Sequence, residues 1–63
     1  MQIFNFRANG FNLGYFSGYD LDDAKKIFAN SYSYKSWDEV TNNKDGNGIK
    51  NIEILDINGT WLE

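Results

Sequence analysis

The chain contains no histidine and no cysteine. Without histidine it lacks the side chain that most often moves protons near neutral pH, and its serines and threonines have no imidazole to activate them. Without cysteine it has no thiol nucleophile, no disulfide and no Cys/His zinc site, so a small fold is left without a staple. A Gly-rich phosphate loop ending in Lys-Ser or Lys-Thr is also missing. Charges break the apolar residues too often for a membrane span. The opening Met1-Gln2-Ile3-Phe4-Asn5-Phe6-Arg7 offers neither the basic region nor the apolar stretch of roughly 7–15 residues that a secretory signal needs. These absences argue against an enzyme and for a soluble cytoplasmic protein with no cofactor and no metal.

What is present is a short, aromatic-rich, acidic chain. Its 63 residues suit one domain, 1–63, and 41% apolar content is too high for a disordered chain. A domain of this size buries only about 60% of the surface its unfolded chain exposes, so stability rests on the core alone. The net charge of −3 repels nucleic acid.

Asn-Gly dipeptides occur at Asn9-Gly10, Asn47-Gly48 and Asn58-Gly59, and Asn-Gly is the strongest short signal for a tight hairpin because both residues tolerate positive φ. A two-residue turn at Asn9-Gly10 pairs Ala8 with Phe11, Phe6 with Leu13 and Phe4 with Tyr15 on a core face. The opposite face then carries Arg7 with Asn12, Asn5 with Gly14 and Ile3 with Phe16. After Gly18 the period changes. Asp20 as N-cap, Asp23 behind it, and the stripe Leu21, Ala24, Ile27 and Phe28 predict a helix of about three turns ending at Asn30 or Ser31. Asp22 is placed to pair with Lys26. Ser36-Trp37-Asp38-Glu39-Val40 repeats the capping pattern and predicts a further helical turn. Residues 41–48 read as a loop, and 49–62 as two strands joined at Asn58-Gly59. A two-residue turn there pairs Leu55 with Leu62; a bulged three-residue turn pairs Leu55 with Trp61. The expected fold class is α+β, a small antiparallel β-sheet (ββαββ) with one helix packed on one face.

Each candidate site has a plainer reading. The segment Asn43-Lys44-Asp45-Gly46-Asn47-Gly48 starts like a calcium loop, but the position of its closing bidentate Glu falls on Ile54, so a turn is expected. Asn58-Gly59-Thr60 fits a glycosylation acceptor and is already explained as a turn. Asp22 and Asp23 point in different directions on a helix and suit its positive end. Once the core is filled, Ile3, Phe16, Tyr19, Tyr32, Tyr34, Trp37 and Trp61 are left over, types that anchor interfaces. We place a partner-binding surface on Lys25, Lys26, Tyr32, Tyr34 and Trp37, where helix lysines and the aromatics of the following loop share one rim.

Leu21-Asp22-Asp23-Ala24-Lys25-Lys26-Ile27, with Ile52-Glu53-Ile54-Leu55-Asp56-Ile57-Asn58-Gly59-Thr60-Trp61-Leu62, resembles the helix and final hairpin of small phage-encoded anti-CRISPR proteins. The resemblance covers under a third of the chain. It implies a compact, non-enzymatic inhibitor in a bacterial host, bound to a CRISPR surveillance complex and blocking target DNA, with Lys25 and Lys26 matching a basic pair on the family's helix. Two other classes stand beside it. One is a small self-associating structural or adaptor domain with the leftover aromatics as a homodimer seam; the other is a nucleic-acid-binding module using exposed aromatics with Lys25, Lys26 and Lys50.

Overall fold

The computed structural model describes residues 1–42 and 48–63. Asn9 and Gly10 take φ of 53° and 82°, the paired left-handed conformation of a tight hairpin, and join β1 (Gln2–Ala8) to β2 (Phe11–Gly18). Next to the turn the register is the expected one, Ala8 with Phe11 and Arg7 with Asn12. It then slips by one residue. A bulge between Phe6 and Arg7 leaves Leu13 without a direct partner, so Phe6 lies opposite Gly14, Asn5 opposite Tyr15 and Phe4 opposite Phe16. The pairs Phe6 with Leu13 and Phe4 with Tyr15 do not form. Because strand side chains alternate, the slip turns Tyr15 out to solvent and Phe16 in toward the core. Polar groups hold the bulge: Asn5 Nδ2 donates to the Gly14 carbonyl (3.0 Å) and to Asn12 Oδ1 (2.7 Å), which also accepts from the Gly14 N–H (3.0 Å).

The helix α1 (Leu21–Ser31) starts as its sequence dictates, with the Asp20 carboxylate accepting from the Asp23 N–H at 2.9 Å and that of Asp23 accepting from the Tyr19 N–H at 3.0 Å. Its buried residues are Ala24, Phe28 and Ala29. Ile27 is exposed, a correction to the expected stripe. The chain after the helix explains it: the Tyr34 N–H donates to the Ala29 carbonyl (2.8 Å), and α2 (Trp37–Thr41) packs on the Ala29 side. Ser36 caps α2, accepting from the Glu39 N–H, while Glu39 reaches back to the Lys35 N–H at 3.1 Å.

The third strand, β3 (Ile52–Asp56), begins later than expected because Asn51 takes φ 57° and the Ile49 N–H is tied to the Val40 carbonyl at 2.7 Å. No fourth strand follows among the described residues. Asp56 Oδ1 accepts from the N–H groups of Asn58 and Thr60, both at 2.9 Å, and this wrapped turn uses up the residues that would have lengthened the return. Only a bridge between Leu55 and Trp61 forms, in the bulged-turn register, flanked by Leu62 N–H to Ile54 carbonyl (2.7 Å). The fold is thus α+β, a three-stranded antiparallel sheet ordered β2-β1-β3 with two helices, rather than four strands and one helix.

The core lies between the sheet and the helices. Phe28 stacks between Phe6 (4.6 Å, 10°) and Tyr32 (4.6 Å, 23°), while Phe16 and Trp37 each set an edge against both Phe6 and Phe28. Phe4, Ala24, Ala29, Val40 and Ile54 complete it. Among the described residues no helix is long and apolar enough to cross a membrane. The calcium-like segment lies, apart from Gly48, outside the described residues.

Candidate protein-binding site

Positions 22, 25, 26 and 30 share one face of α1, and that face meets the start of α2 in an open concavity of about 470 Å³. Asp22, Lys25, Lys26 and Asn30 line one wall; Lys35, Ser36, Trp37 and Asp38 line the other. Trp37 is the large aromatic there, half-buried and fixed by its ring contacts with Phe6 and Phe28 (both 5.9 Å). Three lysines and two carboxylates line the concavity, so the rim is of mixed sign. Among the described residues Lys26, Lys35, Asp22 and Asp38 carry no ion pair. The expected Asp22–Lys26 pair does not form.

Lys25 behaves differently from its neighbour. Its side chain is 13% exposed, its Nζ lies 2.8 Å from Glu63 Oε1 and 3.0 Å from Oε2, and it sits 5.4 Å from the centre of the Trp37 ring. A lysine already paired to a carboxylate and resting over an indole is a brace for Trp37 rather than a free outward charge.

The structure therefore brings three of the sequence's five site residues together: Lys25, Lys26 and Trp37. Tyr32 and Tyr34 are elsewhere. Tyr32 stacks on Phe28, and its hydroxyl donates to the Leu13 carbonyl at 2.7 Å, tying the bulged strand to the helix end. Tyr34 packs half-buried against the core. Among the described residues no three acidic side chains cluster as a cation site would need.

A second surface escaped the sequence reading in part. Both helices cover one face of the sheet, and the other face presents Tyr15, Asn5, Leu55 and Trp61 in one row across the strands, with Ile3, Ser17, Arg7, Asn12 and Glu53 in the flanking rows. Ile3 and Trp61 are recognisable as surplus apolar residues in the sequence. Tyr15 was not, because the bulge moved it; Gly14 inside a strand was the signal that could have found it.

Comparison with protein-family models, with curated proteins and with solved structures finds no match to this chain.

Proposed function

We propose that the chain is a non-enzymatic protein-binding inhibitor that grips its partner through the α1–α2 concavity. The observation that carries this reading is Trp37: a rigid indole, braced by Lys25 and half-open to solvent, inside a rim of Lys26, Lys35, Asp22 and Asp38, none of which is ion-paired among the described residues. An apolar anchor within a ring of polar groups is the composition of an interface hot spot. Mixed charge on the rim suits a protein surface better than a phosphate backbone, which would call for a basic patch. The resemblance of residues 21–27 and 52–62 to anti-CRISPR proteins makes a CRISPR surveillance complex of a bacterial host the first partner to test, with target DNA binding as the step blocked.

The test is capture of partners from a bacterial lysate, followed by binding measurements on variants. Trp37 also belongs to the core, so Trp37→Phe, which keeps an aromatic ring there, is the informative change. It should weaken partner binding by about tenfold, roughly 1.4 kcal/mol, and Lys26→Glu should slow association and alter its salt dependence. If both variants melt like the parent and bind unchanged, the concavity is not the site. Recovery of no surveillance-complex subunit, together with undiminished target DNA binding by such a complex in the presence of the chain, would remove the anti-CRISPR assignment.

A further inference from the structure

Independently of the concavity, the uncovered face of the sheet has a pattern that matches itself. Arg7 and Glu53 are cross-strand neighbours on β1 and β3, both exposed and of opposite sign, yet among the described residues they form no ion pair with each other or with any other group. One row further along, Asn5 lies beside Leu55, with Tyr15 at one end of the row and Trp61 at the other. Beyond that row, Ile3 and Ile57 lie at the end of the sheet, where they border a shallow hollow of about 300 Å³ that Gln2, Phe4 and Asp56 also line. Tyr15, Ile57 and Trp61 are each more than 60% exposed.

Neighbouring segments of a sheet are about 4.8 Å apart, so the midpoint of the row Tyr15, Asn5, Leu55, Trp61 falls between β1 and β3. A half-turn about an axis along the strands at that midpoint exchanges the ends of every row. Tyr15 then faces Trp61 of a second copy, Ile3 faces its Ile57, and Arg7 faces its Glu53, each contact made twice. This is the condition for an isologous interface: one patch, complementary to itself in shape and in sign. We propose that this face is a self-association surface whose occupant is a second copy of the chain, packed sheet against sheet about 10 Å apart. Three strands and the short return segment, about 17 Å long, give a footprint of roughly 300 Å² per copy, so the pair buries about 600 Å² before side-chain relief, under the roughly 1,000 Å² of a specific interface and in the range of a transient one. The dimer should accordingly be weak and reversible.

Sedimentation of the full chain from about 5 μM to about 1 mM tests this, spanning the affinities a contact of that size provides. The parent should pass from monomer to dimer within that range. Arg7→Glu sets two carboxylates against each other at both symmetric contacts and should weaken dimerisation by about 100-fold, while Arg7→Glu combined with Glu53→Arg should restore it to within about threefold. Arg7→Glu also sets two carboxylates side by side within one copy, so its thermal melt at the lowest concentration should fall by a few degrees at most, and the double exchange should recover the parent's melt. A parent that stays monomeric at 1 mM overturns the proposal, as does a dimer indifferent to Arg7→Glu or a double exchange that fails to restore association. None of these outcomes bears on Trp37, which lies on the helix side of the sheet and is read separately by partner binding.

Discussion

Gly18 is fixed by space rather than by backbone conformation. It is buried where β2 passes into α1, and a Cβ there would stand 2.6 Å from the Ala24 backbone nitrogen and 3.0 Å from Asp23 Cβ. Neither neighbour is the tip of a flexible side chain, so strand end and helix start would have to separate. Gly18→Ala should cost about 1–3 kcal/mol, read as a lower urea midpoint with unchanged slope. Gly10 is the opposite case. Nothing lies within 4 Å of its added Cβ, but its φ of +82° carries the strain that a side chain meets in the left-handed region. At this scale the sequence was legible wherever one residue decides the local geometry. It was less so for Tyr32 and Tyr34, which have the composition of interface anchors: Tyr32 stays exposed but stacks its ring on Phe28 at 4.6 Å, and Tyr34, bonded to the Ala29 backbone, packs half-buried against the core.

The elements whose ends were written in the sequence are those closed by a side chain on a backbone N–H. Asp20 and Ser36 mark both helix starts in this way, and Asn9-Gly10 marks the hairpin. What could not be read were shifts produced by several residues acting together. The bulge depends on Asn5, Asn12 and Gly14 bonding across two strands, and it alone decides whether Tyr15 or Phe16 faces inward. The missing fourth strand depends on Asp56 capturing two N–H groups beyond itself. The candidate site divides along the same line: Lys25, Lys26 and Asp22 share a helix face by period alone, whereas the brace between Lys25 and Glu63 joins groups 38 residues apart. The cap gives an element-scale prediction. Asp20→Ala removes the acceptor for the Asp23 N–H and should cost about 1 kcal/mol, a fall in Tm of about 4–8 °C by circular dichroism, while Asp20→Asn should retain most of it. Equal losses in the two variants would mean that the charge near the helix dipole, rather than the hydrogen bond, supplies the stability.

For the molecule as a whole, one side chain connects all the layers. Phe6 comes from the central strand and is fully buried; it stacks on Phe28 of α1, meets Trp37 of α2 edge-on, and meets Phe16 of β2 edge-on. Sheet and helices therefore share a single core with no smaller reserve to fall back on. A domain of this length has roughly 3–9 kcal/mol of stability in total, and removing a buried Phe ring takes about 3–5 kcal/mol of it. Phe6→Ala should consequently abolish the cooperative melt, collapsing the dispersion of the amide NMR spectrum for α1, α2 and the sheet at once. Phe11, also on the hairpin but 73% exposed, is the control: Phe11→Ala should stay within about 0.5 kcal/mol of the parent. If the Phe6 variant instead lost order in the sheet while α1 and α2 kept theirs, the two layers would be separable, and the aromatic stack would be a contact between independent units rather than the centre of one fold. The geometry argues against that outcome, since Phe28 is held on one side by Phe6 and on the other by Tyr32, whose hydroxyl is itself bonded to β2 at Leu13. Removing one ring from the stack leaves its neighbour facing a cavity, and the strand and helix that present those rings lose their common wall together.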